Sequence, residues 1–467
     1  MIDCRNRRWR AVLALTFYAA FGAAGVAWAM GPAVRSPRSS VTAEIYAAAQ
    51  PAPAPVQTSV AEEIYAAARP KLLQIRTLVA AAGRQSVIGS GFLVTADGLA
   101  ITNYHVVSQF ALEPATYRLE YIAPDGSHGN LTLLAIDLAD DLAVVRVDRR
   151  GLPFFSFDER ALSGSLDKGV RLYSMGNPLD LGFTIVDGTY NGLVEHSYSE
   201  RIHFSGALNP GMSGGPAVTS EGRVAGINVA TQLGGSLVSF LVPAHFAATL
   251  LQRVSKGDAP SAKELKAEIG AQLTAWQAGF YKAVGEQGFK PTPVGPYQAA
   301  ESNAPWFTCW AQTNADAIPK PRASVNSTNC SSDTRLFVAF DLNTGTISLT
   351  HTFYRSIDLN QFQFAAFLSQ QNGPSGFVGW GQKWYTPQRC HEDFLATSAK
   401  GDRPPLRVVW CARAYRAFAG LYDVAVIAIT QDKGREALVT RLNLQGIDYP
   451  TAETLAKRFL DVVQWTK

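Results

Sequence analysis

Cysteine is scarce in this chain of 467 residues, and what there is sits almost wholly at one end. Cys4 stands at the start, while Cys309, Cys330, Cys390 and Cys411 fall in the last third. No C-x-x-C spacing occurs and only His391 lies close by, so the ligand-spacing rules speak against a zinc site. No metal and no cofactor is expected. Charge is sparse as well: Asp, Glu, Lys and Arg make up 17% of the chain, with a net charge of +4. The basic residues beyond the first ten are scattered, which argues against a nucleic-acid partner. Apolar residues at 47% exclude a disordered chain. The length exceeds one ordinary core, so two folded domains plus tails are expected.

The one dense basic run, "CRNRRWR", precedes residues 11–29, which carry no charge and end in Ala27-Trp28-Ala29. A basic start, an apolar stretch and a small-x-small ending read as a secretory signal, residues 1–29, cleaved after Ala29. An uncleaved membrane anchor is the alternative, because such a stretch just spans a bilayer. Either way the body of the protein is exported, periplasmic or secreted, with no membrane partner after cleavage. The four distal cysteines then form two disulfides in an oxidising compartment. Three connectivities are open, and the sequence neighbours, Cys309 with Cys330 and Cys390 with Cys411, are the preferred pairs.

Residues 30–59 read as a Pro/Ala-rich linker. It contains "VTAEIYAAAQP" (41–51), which recurs as "VAEEIYAAARP" (60–70). The second copy runs into the first strand and is expected to pack on the domain. The first either competes for the same groove or simply lengthens the linker, and the latter reading is preferred. From 71 to about 247, short apolar runs alternate with Gly, Asp, Pro and Asn turns, which points to an all-β barrel or sandwich. From 261 the period changes: Leu265, Ile269, Leu273, Trp276 and Phe280 form a helical stripe, read as buried core. A hairpin around Asn343-Thr344-Gly345, further strands, and a terminal helix starting at Thr451 complete an α+β domain, residues 256–467.

"GALNPGMSGGPAV" (206–218) wraps Ser213 in glycines. As G-x-S-x-G it fits an α/β-hydrolase elbow; as G-x-S-G-G-P it fits a trypsin-like active-site loop. An elbow serine precedes its acid and base and is followed by a helix. Here the best partners lie upstream and a strand–turn–strand pattern follows, so the esterase reading fails. "GSGFLVTADGLAITNYHVV" places His105 at the end of a strand, and "IDLADDLAVVRV" places Asp141 before another. Taken singly, these are an ordinary turn histidine and a loop serine; the ordered set is what carries chemistry.

With "TNYHVV", "DLAV", Gly176-Asn177-Pro178, "NPGMSGGP" and "GIN" in order, residues 60–250 resemble the HtrA (DegP-type) branch of the trypsin-like serine peptidases. The resemblance implies an all-β double β-barrel over residues 60–255 and a serine endopeptidase acting on polypeptides. Ser213 would attack the scissile carbonyl, His105 would accept its proton, and Asp141 would hold the imidazole tautomer. The N–H groups of Gly211 and Ser213 would form the oxyanion hole. Asp140 is the rival orienting acid; neighbours on a strand face opposite ways, and the family pattern selects Asp141. Ala207 would line the base of the primary pocket, with Ser239, Phe240 and Leu241 as its wall, favouring small or medium apolar residues.

Two departures stand out. Met212 replaces the Asp or Asn usual before the nucleophile, so the expectation is an active enzyme with a conformationally switched loop. The alternative is a weak or inactive peptidase fold that serves as an envelope binding or sensing module. The second departure is the C-terminal domain, which lacks the signature of the PDZ modules usual in the branch. Its role, and any oligomeric state, are not carried over.

Overall fold

Strand formation begins where the chain turns continuously apolar: β1 (Leu72–Val79), "LLQIRTLV", is buried on both faces, as suits a strand closed inside a barrel. It is preceded by α1 (Val60–Ala68), the second repeat copy, opened by a capping box in which Ser59 and Glu62 each bond the other's backbone N–H. The computed structural model describes residues 58–229, 238–254, 259–372, 383–398 and 401–466. The expected signal, most of the linker and the first repeat copy lie outside the described residues.

Six strands close the first barrel: β1, β2 (Arg84–Leu93), β3 (Leu99–Thr102), β4 (Tyr117–Ile122), β5 (His128–Asp137) and β6 (Leu142–Val147), in the order β1-β2-β3-β6-β5-β4. One helix, α2 (Tyr104–Leu112), follows β3. The second barrel takes β7 (Arg171–Gly176), β8 (Thr184–Leu193), β9 (Ile202–Phe204), β10 (Pro216–Val218), β11 (Val224–Val229) and β12 (Ser239–Pro243), in the order β10-β11-β12-β9-β8-β7. Helix α3 (Ala244–Arg253) ends it. Phe92, Ile101 and Val144 of the first barrel share one buried cluster with Met175, Val218 and Ile227 of the second. Ile64 and Ala68 of α1 enter the same cluster, and Tyr65 Oη donates to the Phe183 carbonyl at 2.9 Å. The Ile-Tyr pair of the repeat is thus its docking handle.

Helix α4 (Ala262–Gln287) carries the predicted stripe, with Leu265, Ile269, Leu273 and Phe280 buried and Trp276 packed partly against them. After it come β13 (Phe289–Val294), β14 (Tyr297–Ser302), β15 (Phe307–Thr313), β16 (Ala323–Ser332), β17 (Leu336–Ala339), β18 (Leu342–Thr344) and β19 (Ile347–Ser356). Then follow α5 (Gln361–Gln371), β20 (Arg389–Leu395), β21 (Leu406–Ala414), β22 (Tyr422–Thr430), β23 (Glu436–Ile447), α6 (Tyr449–Asp461) and β24 (Gln464–Trp465). A seven-stranded antiparallel sheet runs β15-β16-β19-β23-β22-β21-β20. Its two edge hairpins each carry a disulfide between directly opposed residues, Cys309–Cys330 and Cys390–Cys411. The chain is therefore an all-β double barrel followed by an α+β region built on antiparallel sheets.

Two local expectations change. The hairpin turns at Phe340-Asp341, between β17 and β18, and not around Gly345. A buried, bonded hairpin outweighs the turn signal of Asn343-Thr344-Gly345. The terminal helix is capped by Asp448, whose carboxylate accepts from Thr451 N at 3.0 Å, so Thr451 lies inside it.

The C-terminal region does not hang free of the first barrel. Tyr104, Val106, Val107 and Ala111 of α2 share a buried cluster with Leu265, Ile269, Leu336 and Val338. Gln272 stitches α4 to β5: its Oε1 accepts from Leu138 N at 2.7 Å, and its Nε2 donates to the Ile136 carbonyl at 2.9 Å. Each fully buried aliphatic side chain at such a junction is worth about 1.5–3 kcal/mol.

Candidate active site

The segment "ITNYHVV" leaves β3 at Thr102 and turns at once into α2, so His105 is the second residue of a helix, not the end of a strand. The N-cap residue Asn103 does not cap this helix with its own side chain. Asp141 does so from the turn before β6, the strand paired with β3: its Oδ1 accepts the His105 backbone N–H at 2.8 Å. Its backbone carbonyl also accepts from Tyr104 N at 3.0 Å and from Asn103 Nδ2 at 2.8 Å. A carboxylate at a helix N-terminus satisfies an orphan donor and faces the positive end of the helix dipole.

The other oxygen of the same carboxylate, Oδ2, lies 2.6 Å from His105 Nδ1. An ionised carboxylate only accepts, so Nδ1 carries the proton and Nε2 is the acceptor in the neutral ring. Burial disfavours the charged imidazole, but the charge and hydrogen bond of Asp141 outweigh it and raise the His105 pKa above its usual value.

Asp140 goes elsewhere. It bonds Arg201 Nη1 at 3.4 Å, and burial, the largest influence, pushes its carboxyl up to about 6 despite that guanidinium. The two acids part because they lie in a turn, with Asp141 in the left-handed region at φ 57°. Strand alternation is not the reason. Short polar residues such as Asp tolerate that conformation, and strain of this kind collects at functional sites.

Ser213 is buried at 4% exposure in the loop that joins β9 to β10. Two glycines fix the course of this loop. Gly211 has φ +97°, and a Cβ there would come within 2.4 Å of the Asn177 carbonyl. Gly214 has φ +84°, and a Cβ there would stand 2.4 Å from Thr102 Oγ1 and 2.9 Å from Asn103 N. Only glycine fits both demands. The second contact sets the Ser213 loop directly against the segment that opens the His105 helix.

Met212 is fully buried, so the apolar residue is packed in the fold and makes no polar side-chain contact with the loop. Two other buried side chains hold the loop. Ser90 Oγ donates to the Gly211 carbonyl at 2.7 Å and accepts from Asn177 N at 2.9 Å, while Ser90 N donates to the Ser213 carbonyl at 2.7 Å. Asn228 Nδ2 donates to the carbonyls of Met175 at 2.9 Å and Met212 at 3.2 Å, and its Oδ1 accepts from Ser174 Oγ at 2.7 Å. Both residues sit inside the motifs "GSGF" and "GIN", yet their task is long-range and leaves no local signal. Replacing Asn228 by Leu removes its bonds to the Met175 carbonyl and Ser174 Oγ, at about 1–3 kcal/mol each, and leaves the Met212 carbonyl only its bond from Gly215 N at 3.0 Å. We expect a loss of about 3 kcal/mol in urea unfolding and a matching fall in any activity of the loop. An unchanged midpoint would mean that Asn228 does not brace it.

The proposed pocket residues divide. Ser239 and Phe240 lie on β12 opposite Phe204 and His203, and Ser239 Oγ accepts from Leu208 N at 3.2 Å, beside the exposed Ala207. Leu241 is fully buried in the core of the second barrel.

Residues 89–227 match the family described as "Trypsin-like peptidase domain". The chain is 31% identical over 179 residues to a "Probable periplasmic serine endoprotease DegP-like" of Chlamydia pneumoniae, covering 37% of this chain and 35% of that protein. It is 31% identical to "Putative serine protease HhoB" of Synechocystis sp., over 37% of this chain and 41% of that one. With a DegP-like protein of Rhizobium meliloti the identity is 33%, over 36% and 33%. The matched part thus spans between a third and two fifths of these relatives' length. Among solved structures, a serine endoprotease from Yersinia pestis aligns at 23% identity and a TM-score of 0.37, covering 43% of this chain and 67% of that one. An HtrA-type protease, AlgW with tripeptide, aligns at 27% and 0.36, covering 42% and 63%. Residues 89–227 thus carry a trypsin-like peptidase domain, and the two-barrel part of this chain is similar to serine endoproteases of the DegP type.

Proposed function

We propose that this chain is an exported serine endopeptidase that cleaves polypeptides through Ser213, His105 and Asp141. The observation that carries the reading is the double grip of Asp141 on His105, through Nδ1 at 2.6 Å and the backbone N–H at 2.8 Å, beside a braced serine loop. Nε2 of the neutral imidazole takes the Ser213 proton as Oγ attacks the scissile carbonyl. The tetrahedral oxyanion is held by the N–H groups of Gly211 and Ser213. The imidazolium then protonates the leaving amine, and water repeats the sequence on the acyl-enzyme with the same groups. Asp141 keeps its hydrogen bond to Nδ1 throughout and so holds the ring in the tautomer that leaves Nε2 free to accept.

The primary pocket is assigned to Ala207, Ser239 and Phe240, with Leu241 as backing from the core. None of these is charged, so small or medium apolar residues fit and Lys or Arg find no partner. Export is favoured by the periplasmic naming of the relatives and by two disulfides, which persist in oxidising compartments. Ser90 and Asn228 supply the bracing that Met212 does not, which favours an active loop over a binding-only scaffold. The test is a fluorophosphonate probe followed by mass mapping, run beside casein digestion. A single adduct on Ser213 is expected; no adduct, where a trypsin-like control reacts, overturns the reading.

A further inference from the structure

We propose that the β17–β18 hairpin of the C-terminal region is a wall of the substrate cleft, with Phe337 and Phe340 selecting an apolar side chain on the residue just before the cleaved one. The inference rests on the reading of His105 as the catalytic base. Three rings form a continuous row outward from that residue. Phe337 meets the imidazole edge-on, with centroids 6.0 Å apart and planes at 74°. Phe340 meets Phe337 edge-on at 5.7 Å and 86°. The inner ring also packs on Tyr104 at 6.2 Å, whereas Phe340 is 57% exposed.

The hairpin that presents these rings is fixed at both ends of the turn. Tyr104 Oη donates to the Val338 carbonyl at 3.0 Å, and Trp384 Nε1 donates to Asp341 Oδ1 at 2.7 Å. Lys383, next to that tryptophan, pairs with Glu113 at the C-terminal end of α2. An aromatic ring held on a rigid support loses little conformational entropy when a ligand covers it. The hairpin stands beside the imidazole and does not seal it, because the His105 side chain keeps 23% of its exposure.

Chain geometry supplies the occupant. In an extended peptide successive side chains point to opposite faces. If one side chain enters the pocket of the second barrel at Ala207 and Ser239, its neighbour points away from it. That neighbour then faces the first-barrel side, where His105, Phe337 and Phe340 lie in a row. The rings are apolar at their faces and carry no charge, so Leu, Val or Phe fits there and Ser, Gly or Asp gains nothing.

The experiment is a set of matched peptides that differ only in the residue preceding the cleaved one, with kcat/KM measured for wild type, Phe340→Ala and Phe340→Leu. Wild type is expected to favour Leu over Ser at that place by about tenfold or more, the scale of apolar pocket discrimination. Phe340→Ala should lower the Leu peptides by about tenfold and the Ser peptides by less than about twofold, and Phe340→Leu should restore most of the ratio. Phe362→Ala, an exposed phenylalanine on α5, should leave the ratio unchanged. An unaltered Leu/Ser ratio in Phe340→Ala overturns the proposal. So does a uniform rise for all peptides, which would make the hairpin a lid. Fluorophosphonate labelling of Ser213 separates the two failures: an unlabelled wild type sinks the peptidase reading, whereas a labelled enzyme with an unaltered ratio sinks only this one.

Discussion

Exchange of Ser213 for Ala is expected to lower kcat on peptide substrates by on the order of 10⁶ and to leave the fold intact. The change removes the attacking oxygen and nothing else from the loop's backbone frame. The bonds from Ser90 N to the Ser213 carbonyl and from Gly214 N to the Asn228 carbonyl do not use the hydroxyl. Stability should therefore stay within about 1 kcal/mol of wild type, the net worth of an ordinary hydrogen bond. A residual rate above water is expected from the oxyanion hole and substrate binding. The measurement is casein and peptide digestion by both proteins, with urea unfolding as the control for folding. Equal digestion by the two would remove the enzyme reading and leave a peptidase fold used for binding.

Exchange of Asp141 for Asn is expected to cost about 10⁴ in kcat at neutral pH, with the geometry almost unchanged. The amide oxygen can still accept the His105 backbone N–H now held at 2.8 Å. Its NH₂ then faces Nδ1 and makes that nitrogen an acceptor, so the ring proton moves to Nε2, where it blocks the base. The pH profile tests the same contact. Burial lowers the His105 pKa, and Asp141 reverses this by its charge and hydrogen bond to leave it raised. Activity, which needs the neutral ring, should appear only as pH rises through that raised value. In Asp141→Asn the burial remains while the opposing influences vanish, so the acid limb should move to lower pH. The linked stability has the matching sign: the pair favours the folded state at low pH, and this is lost as pH rises through the folded pKa. An acid limb at the same pH in both proteins would show that Asp141 does not face the working imidazole.

Much of this site is legible in the sequence because its chemistry needs particular residues in a fixed order. His105, Asp141 and Ser213 each stand in a short motif, and the order alone separates the peptidase from the esterase reading. The local structure was less legible. His105 opens a helix because Asp141 caps it from 36 residues away, a contact that no local pattern announces. Ser90 and Asn228 brace the Ser213 loop across β2 and β11, contacts that no local pattern shows, whereas Met212 stands in the motif itself. In the C-terminal region, periodicity points to the stripe of α4 and to further strands beyond it. It missed α5, whose Gln-rich face buries only Phe364, and it misplaced the hairpin turn because Gly345 is a stronger turn signal than Phe340-Asp341.

The position of Asp141 at the head of α2 also bears on how this protein reaches its native state. Starting a helix is the unfavourable step, since several residues are fixed before the first bonds repay it. Here a bond at the helix start comes from the turn before β6, the same carboxylate that meets the imidazole. The helix cannot be well begun while β3 and β6 are unpaired, and once they pair the imidazole is already aligned. Folding order and assembly of the His105–Asp141 contact are thereby one event. A partly folded chain would lack both together, so an immature or damaged molecule would not carry a poised base within a loose barrel.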